Sequence, residues 1–472
     1  MADAPANVIF IHWHDLGRHL SCYGAQGVVS PTLDRMAEEG IRLTDAHATA
    51  PLCSPARGSL FTGQYPHRNG LIGLAHHGFG YREGTRTLPS LLGAAGYRTV
   101  LIGMQHESTD PTSLGFDTVD VSDSRCDYVT DEAISWLTRE GVDDQPFFLT
   151  AGFFETHRPY PDDEYDHPDP TTIGVPDFLP DTPDVRADLA GLHGSITKAD
   201  AAVGRLLDAV ARAGLDANTW IVFATDHGVA FPRAKSTLYA EGTGIAMIIR
   251  PPNGGPTGLV YDGLFSGVDL APTLLDLLGQ PIPDEADGVS HAGAFRGSGD
   301  SPVRDELFTE KTYHDAFDPI RAVRTKDFSY IENYAPRPEL VLPLDIADSS
   351  SARSLDPRAT IVPRARHELY DLRFDPRERN NLAGDPLYTE IAAGLAGRLA
   401  RWRSETGDEL PEDAVGTAVA ERFMRAWANR SKTIDPGEEA LPSRRPLGAR
   451  RELAGGLTVG RTTESHTDSG AG

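Results

Sequence analysis

Two short stretches gather residue types that can hold a cation. Apolar Val8-Ile9-Phe10-Ile11 breaks into His12-Trp13-His14-Asp15-Leu16-Gly17, and "TWIVFAT" (219–225) breaks the same way into Asp226-His227-Gly228. An apolar strand that ends in histidine and aspartate is costly unless those groups find partners. In a parallel sheet both ends face one edge, which would gather two aspartates and several histidines as metal donors. One such end is equally well a capped turn with a satisfied loop histidine; two matched ends favour the cluster. A third stretch, "PLCSPARGSLFTG" (51–63), puts Cys53 at what reads as the first turn of a helix, with Arg57 four residues on. A helix N-terminus offers backbone N–H groups and a favourable dipole. Arg57 offers a bidentate fork suited to sulfate or phosphate. Taken alone, Cys53 reads first as a small buried hydrophobe.

The surrounding chain must bring these stretches together. Through about residue 300, short apolar runs alternate with amphipathic ones. Strands are expected at 8–11, 99–103, 147–154, 219–225 and 244–250. Helices are expected after Ser30-Pro31, with Ser30 as N-cap and Gly40 as stop, and at 128–140, 186–213 and 268–279. In the long one, Leu189, Leu192, Ile196, Ala199, Val203, Leu206 and Val210 keep one face apolar. Such alternation predicts an α/β fold, a mostly parallel central sheet sandwiched by helices, whose site lies beyond the carboxyl ends of the strands. After about 305 the pattern changes to short strands at 321–334 and 367–372 and a helix at 388–407. The expected organisation is therefore a catalytic domain at 1–305, a smaller α+β subdomain at 306–430 with a short antiparallel sheet, and an extended or disordered tail at 431–472.

Bulk properties narrow the function. The 472 residues carry 44 basic and 69 acidic side chains, a net charge of −25. Nucleic acid and anionic membranes are repelled by such a chain, and an anionic substrate needs a local positive site. No run approaches the ~18–20 apolar residues of a membrane span, and no signal peptide is read at the N-terminus, so the expected location is the cytoplasm. Three cysteines, Cys22, Cys53 and Cys126, fit a reducing compartment rather than a disulfide framework.

Taken together, "CSPARGSLFTG", "NVIFIHWHDLG", "SPTLDRMAEEGIRLTDAHATAPLCSPARGSLFTGQYPHRNGL", "TDHGVAFPRAKSTLYAEG", "VDLAPTLLDLLG" and "ELYDLRFDPRERNNLA" resemble the type I sulfatases of the alkaline-phosphatase-like superfamily, in order and spacing, from about residue 7 to 410. Within that family, "FLPDTPDVRADLAGLHGSITKADAAVGRLLDAVARAGL" and "FPRAKSTLYAEG" are similar to the heparan N-sulfatase (sulfamidase) subgroup. The resemblance implies that a formylglycine-generating enzyme converts Cys53 to formylglycine. One hydroxyl of the hydrated aldehyde would attack sulfur, and loss of the other proton would release sulfate. It also implies one divalent ion held by His14, Asp15, Asp226, His227 and the modified Cys53. Arg57 would hold the aldehyde hydrate and Lys235 would clamp sulfate. His157 would protonate the leaving group, and His106 would assist sulfate release. His314 and Arg321 are candidates for the substrate rim, and His76 and His77 for the mouth.

Three positions depart from the family pattern, of which His227, in place of the asparagine of Asp-Asn-Gly, is a substitution familiar within the superfamily. His14 replaces the first aspartate of Asp-Asp-x-Gly, which loosens the case for Ca²⁺. The family favours Ca²⁺, while imidazole suits Mn²⁺ or Zn²⁺. Met104 replaces the first clamp lysine. The expected activity is hydrolysis of a sulfate ester or sulfamate on a small saccharide, N-sulfated glucosamine first. The alternatives are a phosphonate monoester or phosphodiester hydrolase of the same superfamily and a non-catalytic anion-binding relative. A hydrolase using the Cys53 thiol directly is a remote further alternative.

Overall fold

A computed structural model describes residues 6–141, 144–253, 255–297 and 304–410. The expected tail at 431–472 lies outside the described residues. Along the first part run β1 (Asn7–Trp13), α1 (Pro31–Glu39), β2 (Ile41–Leu43), α2 (Cys53–Thr62), β3 (Arg98–Gly103), β4 (Thr118–Asp120), α3 (Cys126–Arg139), β5 (Phe147–Gly152), α4 (Pro183–Arg212), β6 (Thr219–Thr225), β7 (Met247–Arg250), β8 (Leu259–Tyr261) and α5 (Leu270–Leu277). The strands form one sheet in the order β4-β3-β5-β1-β6-β7-β2-β8. All neighbours are parallel except β7, which runs against both β6 and β2. The sheet is therefore mixed, mostly parallel.

Side-chain alternation along β1 explains the layers. Ile9, Ile11 and Trp13 join Leu33 and Met36 of α1, Val129 of α3 and Leu192 and Ile196 of α4. Val8 and Phe10 point the other way, toward Leu60 and Phe61 of α2 and Leu270 and Leu274 of α5. A strand buried on both faces reads as a continuous apolar run, as β1 does. Each such side chain contributes about 1.5–3 kcal/mol on burial.

Several local expectations are corrected. Ser30 precedes α1 without capping it with its side chain. Asp200 of α4 does so instead, its two oxygens accepting from the Thr32 and Leu33 N–H groups at 2.9 Å each. A tertiary carboxylate is a stronger acceptor than the local hydroxyl, which bonds Ser21 at 3.0 Å. The strand expected at 244–250 begins only at Met247, and that at 147–154 ends at Gly152.

The second part holds β9 (Leu307–Tyr313), β10 (Phe317–Arg324), β11 (Phe328–Asn333), β12 (His367–Asp371) and α6 (Thr389–Thr406). The four strands pair in chain order, all antiparallel. The stretch expected as one strand at 321–334 is two, because Thr325 N–H donates to Phe328 O at 2.8 Å and turns the chain. Leu395, Leu399 and Trp402 of α6 cover the sheet, and Trp402 stacks on Phe308 at 4.8 Å between ring centres.

Candidate active site

Register sets the site. β1 and β6 pair in parallel from Asn7 with Thr219 through Trp13 with Thr225. The next residues on each strand are His14 and Asp226, so the two polar breaks sit side by side at the carboxyl edge. Asp15 N–H donates to Asp226 Oδ1 at 3.0 Å. Asp15 itself has φ 44°, in the left-handed region that aspartate tolerates better than most residues. Gly228 follows because a Cβ there would lie 1.8 Å from the Glu241 carbonyl oxygen.

Around these two carboxylates the donors converge. Ligand atoms of His14, Asp15, Cys53 and Asp226 lie within 4.8 Å of one another, all buried. His14 Nδ1 is 3.2 Å from Asp226 Oδ2. His227 Nε2 is 3.0 Å from Asp15 Oδ1 and 3.3 Å from Cys53 Sγ. Nε2 of His14 is buried without a hydrogen-bond partner, and its Nδ1 has only that Asp226 contact. Burial, with the Arg57 charge, lowers His14 to about 3, so the ring is neutral with a lone pair to give. A neutral imidazole, two carboxylates, a second imidazole and the Cys53 side chain fit a divalent cation.

Electrostatics tie the cluster together. Burial raises Asp15 and Asp226, yet their neighbours outweigh it and hold both well below the carboxylate range: chiefly Lys235 and His227 for Asp15, and His227 and Arg57, with a contact from His14, for Asp226. Burial likewise pushes His227 and Lys235 down. The carboxylates of Asp226 and Asp15 on the first, and of Asp15 and Asp345 on the second, more than reverse it. Cys53 differs: burial dominates and pushes its thiol up.

The two expected anion clamps are otherwise engaged. Arg57 is buried; Nε donates to Asp226 Oδ2 at 3.2 Å, one Nη to His12 Nδ1 at 2.6 Å and the other to Trp13 O at 3.3 Å. Its fork therefore fixes Asp226 and is not free to grip an anion from both arms. Lys235 Nζ donates to Asp15 Oδ2 at 2.8 Å and to Asp345 Oδ2 at 2.6 Å.

Further histidines lie next to the cluster. His157 Nε2 lies 3.7 Å from Asp15 Oδ2 and 3.9 Å from Asp345 Oδ2, while its Nδ1–H donates to Arg158 O at 2.6 Å. His14 stands edge-on to His157 and His106, at 5.4 and 5.8 Å between ring centres. His106 stacks on His76, Nε2 to Nδ1 3.0 Å. His77 Nδ1 meets the carbonyl of His314 at 3.3 Å. His314 is buried, its Nδ1 without a hydrogen-bond partner, and burial lowers it to about 4. Met104, which the resemblance aligns with a clamp lysine, is buried.

Arg321 is a correction. It is buried in the small sheet, pairing with Asp408 at 2.7 Å through both Nε and Nη and donating to Lys311 O at 2.8 Å. With Glu310 at 3.4 Å as well, it is a structural ion pair and not part of a substrate rim. Asp345, by contrast, went unnoticed. It lies in a single helical turn (Leu344–Ala347) within "PLDIADSS", and no motif or spacing marks it.

Comparison with known proteins agrees with this geometry. The sulfatase family model matches residues 6–280, more than half of the chain, and the chain belongs to the sulfatase family, a family of hydrolases. A second model, the C-terminal region of N-sulphoglucosamine sulphohydrolase, matches 229–348, which includes Lys235, His314 and Asp345. Human N-sulphoglucosamine sulphohydrolase is 29% identical over 86% of this chain and 91% of its own length. A structure described as a complex with its substrate D-glucosamine-2-N,6-O-disulfate superposes with TM-score 0.65 at 23% identity, over 86% of this chain and 99% of that one. The phosphonate monoester hydrolase of Agrobacterium radiobacter superposes with TM-score 0.67 at 20% identity, over 85% and 96%. At these identities the two structures establish a shared fold.

Proposed function

We propose that the chain is a formylglycine-dependent sulfatase acting on a small sulfated saccharide, with the N-sulfate of glucosamine preferred over an O-sulfate. The observation that carries it is the convergence of His14, Asp15, Asp226 and His227 on Cys53. Support for the N-sulfate comes from the N-sulphoglucosamine sulphohydrolase model, which spans the segment supplying Lys235 and Asp345.

His14, Asp15, Asp226 and His227 would hold one divalent ion, which supplies positive charge for the sulfate oxygens. The resemblance alone favours Ca²⁺; the neutral imidazole of His14, with its Nε2 unpartnered, supports Mn²⁺ or Zn²⁺ instead. A formylglycine made from Cys53 supplies the nucleophilic hydroxyl. The unmodified thiol is a poor substitute, since burial keeps it protonated. Arg57 orients Asp226, and Lys235 orients Asp15 while keeping a positive charge beside the sulfur-bearing group. With Nδ1–H committed to the Arg158 carbonyl, His157 presents Nε2 as its working atom, placed to give a proton to the departing amine or alcohol. His106 is the second histidine in reach of the opening, suited to taking a proton as sulfate leaves.

Mass spectrometry of the tryptic peptide Leu43–Arg57, from protein co-expressed with the modifying enzyme, tests the nucleophile. An aldehyde in place of the thiol, with turnover of glucosamine N-sulfate, supports the proposal. Modified protein that cleaves phosphonate or phosphate esters and ignores sulfates moves the reaction class to the phosphonate hydrolases. An unmodified peptide with no bound metal leaves an anion-binding relative.

A further inference from the structure

A cavity of about 690 Å³ lies beside the catalytic loops and contains none of the site residues above. It opens between the segment after β1, strand β2, the 174–178 loop and the end of β10. Although the chain carries −25 overall, four arginines line this cavity, Arg18, Arg42, Arg324 and Arg377, against two carboxylates, Asp177 and Glu241.

Their donors are only partly used. Arg18 directs one Nη to Ala46 O at 2.7 Å, His47 Nε2 at 3.0 Å and Asp45 Oδ1 at 3.7 Å, but its Nε is buried with no hydrogen-bond partner. Burial and the charge of Arg324 both act to lower Arg18, opposed by Asp45. Arg42 lies over the Tyr23 ring at 5.6 Å and forms no ion pair among the described residues. Arg324 uses one Nη on Glu378 at 3.2 Å. Arg377 reaches Asp177 at 2.9 Å and Glu241 at 3.3 Å. Guanidinium groups brought together in partial burial repel one another and lose hydration, a cost that an incoming anion relieves. Guanidinium also suits the planar, two-point contact that tetrahedral oxyanions offer. Tyr23 and Phe178 add ring surface, and the volume lies within the range of small-molecule sites.

We propose that this cavity is a second anion site, binding a tetrahedral oxyanion, sulfate or phosphate in geometry, either free or carried on a small sugar. It does not rest on the catalytic assignment.

The test is calorimetric titration of the full chain, wild type, Arg42→Ala and Arg42→Lys, with sodium sulfate and separately with glucosamine N-sulfate. The wild type should show a binding event that Arg42→Ala weakens at least tenfold and Arg42→Lys partly restores. Turnover of an aryl sulfate should be unchanged in Arg42→Ala. Loss of the sulfate event identifies the free anion as a sufficient ligand; loss of the sugar event alone identifies the carried one. Arg377→Ala, at the solvent-facing side, repeats the test should Arg42→Ala fail to fold. Identical isotherms for wild type and variants with both titrants overturn the proposal. Absent turnover alongside an Arg42-dependent event would refute the catalytic reading and leave this one standing.

Discussion

His14 and Asp345 are the residues on which this site differs most from a plain carboxylate cluster. His14 Nε2 is buried without a hydrogen-bond partner, and such an atom costs about 1–3 kcal/mol. A cation that accepts its lone pair removes part of that cost. His14→Ala should therefore lower bound metal, read by elemental analysis after dialysis; full occupancy in the variant would mean that His14 is a bystander. Asp345 holds Lys235 together with Asp15, and its Oδ2 lies 3.9 Å from His157 Nε2. Asp345→Asn keeps the shape and removes the charge. It should lower kcat about tenfold or more, the scale of a disturbed proton transfer, with a smaller change in KM. An unchanged kcat would reduce Asp345 to a surface partner of Lys235.

At the scale of elements, the sheet edge decides placement and close approaches decide which residues are tolerated. α1 is held at its start by Asp200, from a helix far along the chain. Asp200→Ala should cost about 1–2 kcal/mol, as the loss of a helix cap does, visible as a lower urea midpoint with activity retained below it. An unchanged midpoint would show that Ser30 takes over the cap. Gly228 has the opposite character. A methyl group there meets backbone oxygen at 1.8 Å, and backbone cannot swing away as a side chain can. Gly228→Ala should displace Asp226 and His227 and abolish turnover; an active variant would mean that the loop shifts as a unit.

For the whole molecule, the small sheet is tied in by an ion network. His67 Nδ1 meets Glu310 Oε2 at 2.8 Å, and Arg321 bridges Glu310 and Asp408. Burial raises Asp408, but Arg321 and His67 outweigh it and its folded pKa is depressed. Its contribution is complete above the unfolded carboxylate value of about 4 and is lost as pH falls through the depressed one. Burial lowers His67, but Glu310 and Asp408 raise it overall. Its contribution is complete below about 6.5 and is lost as pH rises through the raised value. Thermal midpoints should therefore decline on both sides of a weakly acidic optimum. Asp408→Asn should lower the plateau and flatten the decline below about pH 4, and an acid limb identical to wild type would remove Asp408 from the account.

The sequence alone was enough for the chemistry of the cluster and for the layered fold. Apolar strands that break into His-Asp and Asp-His-Gly, and a cysteine at a helix start with Arg57 one turn on, are local patterns whose cost or use can be stated without coordinates. What lay beyond it depended on groups brought from far along the chain. Asp200 displaced Ser30 as the cap of α1. Asp226 and His12 took the fork of Arg57. Asp408 and Glu310 drew Arg321, a candidate for the rim on the resemblance, into the small sheet. Asp345, in an unremarkable helical turn, became a partner of Lys235. The arginines of the cavity are scattered from Arg18 to Arg377, and their convergence has no signature in any one stretch. Periodicity and turn chemistry act over a few residues and can be read directly. Which distant charge satisfies which depends on the folded path, so those pairings were decided only by the tertiary structure.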